Sequence, residues 1–458
     1  MKLFLFTAFT LANLFTPLAQ AIDLVEAYQM AIQNDSKLKA SEQRKIGISE
    51  ERAKALAGFY PKVQLSLSKG RGETDAETGN FLSSGNRSYD TKNYNLSLRQ
   101  PLFNKSLSAD YDKAMANIEI QNSNYDAENN NLVSRLTERY LIVLFAQDTL
   151  DFNRVRETTL NDALVQSKKR FQAGLGIKND INEIYAELEV VGANLIDDKN
   201  RLVASKRALE NIVGAYPTEL ARIDFEKIST QPLDQSSLLN LLAQAKENNA
   251  ELAAAKYQIS LTTSDYDKNK AAHYPTVDLQ LTRSYTESES NITIGSAFNT
   301  KALAVQVNVP IYSGGFTSAS TRQSAAFIEE AKENLNQKSK EISEKVVDAF
   351  NGINNSLALI QAYQRSIKAN NEVVEGTKKA FLAGTRTNVD VLTALEKRDQ
   401  AKLNYAKSVY SYLINSVQLK ELTSQINLQD IEYLNSLLLN ANANANANAN
   451  AQSNFNWN

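Results

Sequence analysis

Asp180 and Asp390 are two carboxylates whose surroundings are written twice in this chain. Each lies nine residues beyond a phenylalanine and six beyond a glycine: Phe171, Gly174, Asp180, and then Phe381, Gly384, Asp390, about 210 positions later. The segments are KRFQAGLGIKNDI (169–181) and KAFLAGTRTNVDVL (379–392). In both, the glycine suits a helix C-terminus, and the acid falls in the first turn of the next helix, where the helix dipole favours it. Thr387-x-x-Asp390 also reads as a capping box. Two uses of these carboxylates therefore stay open, as helix caps or as charges that do more than cap. Bond-making chemistry is not indicated. There is no cysteine, the single histidine (His273) cannot hold zinc alone, and neither a Gly-rich phosphate loop nor a strained nucleophile turn is present. The reading is of a non-enzyme with no cofactor and no metal.

The elements that must position these turns are very long helices. From Phe103 to Gly174 there is neither proline nor glycine, about 70 residues or about 100 Å of helix. The second copy runs from about Phe316 to Ala383, and its apolar residues recur every seven: Val346, Ile353, Ile360, Ile367, Val374, Phe381. The first copy gives Leu136, Val143, Leu150, Glu157, Leu164 and Phe171, with one miss at Glu157. Upstream sets, Ile118, Tyr125, Leu132 and Ile328, Leu335, Ile342, join these by a step of four at the same place in both copies. That step is a stutter, which locally unwinds a supercoil. Residues 22–57, 178–213, 236–271 and about 388–423 read as shorter helices that pair with the long ones.

Between the helices lie alternating strands. Val63, Leu65 and Leu67 oppose Lys62, Gln64, Ser66 and Ser68, and Tyr94, Leu96 and Leu98 oppose Asn95, Ser97 and Arg99. The second copy sets Val277, Leu279 and Leu281 against Asp278, Gln280 and Thr282, followed by Leu303, Val305, Val307 and Val309. Apolar out and polar in is the pattern of a lipid-facing barrel around water, and it equally suits a half-buried soluble sheet. Phe59, Tyr60, Phe103, Tyr274 and Tyr312 at the helical ends suit an aromatic girdle and favour the membrane. Four strands cannot close a lumen, so the chain must oligomerise. Pro61, Pro101, Pro275 and Pro310 stand where helix turns into strand.

The ends and the charge narrow the class. Residues 1–21 read as a secretory signal ending in Ala19-Gln20-Ala21. A net charge of −2 with mixed signs argues against nucleic acid. After Ile22 no run approaches 18 apolar residues, so membrane contact must come through strands. The expected organisation is a signal peptide (1–21), then repeat 1 (22–215) with a hairpin at about 60–103 and a tip turn at 174–178. A linker or equatorial segment (216–235) leads to repeat 2 (236–425), with a hairpin at about 274–312 and a tip turn at 384–388. An equatorial segment and a low-complexity tail (426–458), expected to be disordered, complete it.

The duplicated layout, the Tyr-Pro and Pro-Leu/Ile-aromatic strand borders and the two tip segments resemble the TolC family of outer-membrane efflux and type I secretion ducts. The resemblance implies a mixed α and β membrane protein: a homotrimer whose twelve strands form one outer-membrane β-barrel, continued through the periplasm by an α-helical coiled-coil barrel. It implies a passive exit duct embedded in outer-membrane lipid and recruited by a periplasmic adaptor (membrane fusion) protein and an inner-membrane transporter. It also implies that Asp180, Phe381, Arg386 and Asp390 form the gate at the tunnel entrance, with Arg386 and Asp180 as ion-pair partners and Asp390 in an acidic ring. Phe381 stands where the family has a tyrosine, and Thr393 replaces a second aspartate. A coiled-coil scaffold or adhesin would not need paired strands in each half, and an adaptor would carry one hairpin where this chain has two.

Overall fold

The computed structural model describes residues 21–76, 85–228, 232–288 and 296–439. Most of the expected signal segment and the Ala-Asn tail from Asn440 lie outside them. In chain order the elements are α1 (Leu24–Asn34), α2 (Ser36–Ser49), α3 (Glu51–Ala57), β1 (Lys62–Ala76), β2 (Gly85–Phe103), α4 (Lys105–Gln172) and α5 (Lys178–Val213). The second copy gives α6 (Gln235–Asn248), α7 (Ala250–Ala271), β3 (Thr276–Ser288), β4 (Ser296–Asn308), α8 (Phe316–Leu382) and α9 (Asn388–Leu422), and α10 (Leu428–Ser436) follows.

The helix expected as one piece over 22–57 is broken at Asp35 and again at Glu50. Asp35 leaves the helical region (ψ 117°) and donates its N–H to the Ala31 carbonyl, while its carboxylate accepts the Leu38 N–H at 2.8 Å. One residue thus ends α1 and caps α2. Asn249 does the same in the second copy: at ψ 124° it accepts from Glu251 and Leu252 and splits the helix expected over 236–271. Short polar side chains compete for backbone donors, which is why they interrupt a helix of otherwise good propensity. Pro101 lies inside β2 rather than at its border, where the β2–β3 register shifts.

Backbone contacts divide the chain into two compact units, and the long helices contribute to both. One unit (residues 40–127 and 248–341) holds a four-stranded antiparallel sheet in the order β1-β2-β3-β4. Its apolar side chains are uncovered: Val63, Leu65, Leu303 and Val305 are each at least 60 % exposed. On the opposite face Arg99 donates to Asp278 at 2.8 Å, and Gln280 bonds Gln306. β1 and β4 are edges, so their outer backbone groups require strands from elsewhere. In this unit most buried helical positions are small, such as Ala109, Ala114, Ala116, Ser324 and Ala331, with Gln121 and Leu252 the larger ones. The seven-step residues Ile118, Tyr125, Ile328 and Leu335 stay half-buried here.

In the other unit (21–39, 128–247, 342–439) the heptads are the core. Leu132, Leu136, Val143 and Leu150 are buried on α4, as are Ile342, Val346, Ile353, Ile360 and Val374 on α8. The segment between the repeats crosses this unit as short bridges, Ile22 to Leu220 and Ile223 to Leu438. The Tyr140 hydroxyl sits between the Ile22 and Ala221 carbonyls at 2.9 and 3.0 Å. A further bond, Leu439 N–H to the Arg222 carbonyl at 2.7 Å, ties down the end of the described chain.

Candidate functional site at the helical tips

Both tips end by one mechanism. At the first, Gly174 (φ 73°) donates to the Phe171 carbonyl and Leu175 to the Arg170 carbonyl. At the second, Gly384 (φ 76°) donates to Phe381 and Thr385 to Ala380. These are Schellman turns, and only the left-handed φ demands glycine, because nothing lies within 4 Å of a Cβ at either position.

The next helix begins differently in the two copies. Thr387 caps α9 in a full capping box: its N–H and hydroxyl donate to the Asp390 carboxylate at 2.8 and 2.9 Å, and the Asp390 N–H returns a bond to the hydroxyl. These donors, more than the Arg386 guanidinium, hold the Asp390 carboxyl below the usual carboxylate range. Arg386 reaches Asp390 at 3.4 Å across one turn, and both side chains are open to water. α5 has Ile177 at its cap position, with no side-chain bond, and Asp180 lies half-buried in its first turn, without an ion pair among the described residues. Within one chain, then, the structure brings Arg386 to Asp390 and does not bring it to Asp180.

Phe381 has a partner that sequence reasoning missed. The Arg170 guanidinium lies 4.6 Å from its ring centroid and joins the end of α4 to the end of α8. The one available signal was an asymmetry between the copies: Arg170 precedes Phe171, whereas Ala380 precedes Phe381.

Behind the tips a cavity of about 250 Å³ opens between the two helical hairpins. Arg156, Glu183, Glu187, Glu396 and Asp399 line it, with Leu392. Arg156 on α4 bonds Glu187 on α5 and lies 3.9 Å from Glu396 on α9. Burial pushes the Asp399 carboxyl up against the pull of Arg398, which contacts it at 2.6 Å, and burial pushes the Lys402 ammonium down. Among the described residues no group of three or more acidic or histidine side chains is placed to hold a metal ion.

A duplicated chain whose sheet turns its apolar face outward and whose helical hairpins end in paired tips has the architecture of an outer-membrane channel. The outer membrane efflux protein family matches residues 27–215 and 241–425, and the chain belongs to it. That bears out the resemblance drawn from the strand borders and tip segments, and with it the outer-membrane location. The chain is 28 % identical to the alkaline protease secretion protein AprF of Pseudomonas aeruginosa, over 90 % of this chain and 87 % of that one. It is 27 % identical to the proteases secretion protein PrtF of Dickeya chrysanthemi, over 92 % of each. Its fold matches the solved structure of the channel CusC with a TM-score of 0.75 at 15 % identity, covering 88 % of this chain and 92 % of that one. Among the described residues no helix is long and apolar enough to cross a membrane.

Proposed function

We propose that three copies of this chain form the outer-membrane exit duct of a type I protein secretion system, joined at the tips by a periplasmic adaptor and an inner-membrane transporter. The observation that carries the reading is the sheet, apolar outward and polar inward, with both edges unpaired. Three copies supply twelve strands, enough to enclose water, and each β4 finds a β1. Protein rather than drug export is favoured because AprF and PrtF are both protease secretion proteins. Purified in detergent, the protein should be a trimer that makes water-filled channels in planar bilayers. A stable monomer without conductance would sink the duct reading, and a duct that restores drug efflux but not protease secretion to a strain lacking its own would overturn the substrate.

The tips close this duct. Arg170 on Phe381 links the hairpins of one copy, and Arg386 and Asp180 pair between copies, with Asp390 facing the entrance. Arg386→Ala should then raise single-channel conductance, and Asp180→Ala should give much of the same gain. The double variant should add less than the sum, because each change already breaks the shared contact. Phe381→Tyr should not raise conductance, and Asp390→Asn should lower cation preference. Unchanged conductance in Arg386→Ala with a lower melting temperature would assign the residue to capping α9 instead.

A further inference from the structure

The outward face of the sheet carries cations where an apolar surface would be expected. Its cross-strand rows run from the helical end as Val63-Leu98-Leu281-Leu303, then Leu65-Leu96-Arg283-Lys301, then Leu67-Tyr94-Tyr285-Asn299, then Lys69-Lys92-Glu287. Two like-charged pairs are therefore directly opposed, Arg283 with Lys301 and Lys69 with Lys92. Such juxtaposition is unfavourable unless an anion sits on it. Glu287 answers Lys92 at 3.1 Å. Among the described residues Arg283, Lys301 and Lys69 have no carboxylate partner, and all three are exposed. On the inward face the same levels are neutral: Ser66, Asn95, Ser97, Thr282 and Ser284.

The rows also fix the depth. Tyr94 and Tyr285 stack at 5.8 Å between the two cation levels. They stand about nine residues from the helical ends of β2 (Phe103) and β3 (Thr276), roughly the length of strand that crosses a membrane, which marks the interfacial girdle at the end of the membrane band away from the helices. With the helices in the periplasm, that end lies in the outer leaflet. Long basic side chains just inside a girdle lay their stems on the apolar surface and lift their charges to headgroup level. An arginine fork beside a lysine matches a phosphate monoester, which carries about −1.5 to −2 charges on three acceptor oxygens.

We infer that Arg283 and Lys301 bind the phosphate monoester of an outer-leaflet lipid headgroup. The inference rests on the outer-membrane placement of the sheet. The test uses the full-length protein in nanodiscs of neutral phosphatidylcholine doped with lipid A bearing two phosphate monoesters, or with the same lipid dephosphorylated. Lipid retained on the intact complex is counted by mass spectrometry. The wild type should retain the phosphorylated lipid preferentially, and R283Q combined with K301Q should weaken retention roughly thirtyfold, since each surface cation contributes about fivefold. K62Q, on the inward face, should leave it unchanged. If the double variant fails to assemble, K301Q alone should weaken retention about fivefold. Equal retention of both lipids, no loss in the cation variants, or an equal loss in K62Q would overturn the site. Failure of the wild type to enter the nanodisc would count against the membrane reading itself.

Discussion

Arg222→Met should lower the stability of the folded chain by about 3–5 kcal/mol, the cost typical of leaving buried charge without its partner. Arg222 leaves the segment between the repeats and reaches Asp151 at 2.6 Å and Asp148 at 3.8 Å on α4. The Tyr410 hydroxyl of α9 donates to Asp148 at 2.5 Å, and Phe225 packs edge-on against the Tyr410 ring. Without the guanidinium, Asp148, 8 % exposed, keeps only the Tyr410 hydroxyl, while Asp151 keeps Arg154 at 3.2 Å. Burial already pushes the Asp148 carboxyl up to about 6, against the pull of Tyr410 and Arg222. A carboxyl raised in the folded state contributes stability that is full below its unfolded value, near 4, and is lost as pH rises through about 6. Asp148→Asn keeps an acceptor for Tyr410 and removes the titration, so it should flatten that decline between pH 4 and 6. Denaturant unfolding in detergent across pH 4–8 measures both effects. An Arg222→Met protein within about 1 kcal/mol of the wild type would show that the cluster does not hold the segment.

The parts legible in the sequence are those set by local periodicity. Alternation located all four strands, because a pleated sheet repeats every two residues wherever one face meets an apolar phase. The heptads located the buried rows of α4 and α8 from Leu132 to Leu164 and from Ile342 to Val374, and missed at the tips, where Phe171 is exposed and Phe381 half-buried. Toward the sheet the same spacing marks only half-buried residues, since the close contacts there are made by alanine and serine, which a search for large apolar side chains passes over. The breaks at Asp35 and Asn249 were within reach. The two residues stand at matching positions of the copies, and each is a strong cap whose side chain accepts from the backbone N–H three residues on. At the tips, the Thr387–Asp390 box was legible because its partners are three residues apart. Arg170 on Phe381, Arg156 on Glu396 and Tyr410 on Asp148 join residues more than 200 positions apart. No spacing rule reaches that far, and only the packing of one hairpin on the other brings them together.

Arg156 is where that packing should matter most for the duct. It is the cation of a cavity otherwise ringed by Glu183, Glu187, Glu396 and Asp399, and its own side chain is 20 % exposed. Arg156→Gln leaves Glu187 of one hairpin facing Glu396 of the other with no cation between them. Half-exposed carboxylates at such separations repel by about 1–3 kcal/mol once solvent screening is allowed for. A closed state that depends on the hairpins staying together loses that much, and each 1.4 kcal/mol is tenfold in the ratio of open to closed tips. The variant should therefore show an open probability in planar bilayers roughly tenfold above the wild type at pH 7.5. Acid should take part of the gain back. Burial already pushes the Asp399 carboxyl up, and Arg156 is among the cations that pull it down, so in the variant it takes up a proton at still higher pH. Repulsion across the cavity falls as Asp399 takes up its proton, so open probability in the variant should be lower at pH 5 than at pH 7.5. Arg156→Lys, which keeps the charge and loses the two-pronged fork, should fall between the two. Equal open probability in wild type and Arg156→Gln at both pH values would mean that the hairpins are held together by their apolar contacts alone, among them Leu392 against Ile184, Leu160 and Leu164.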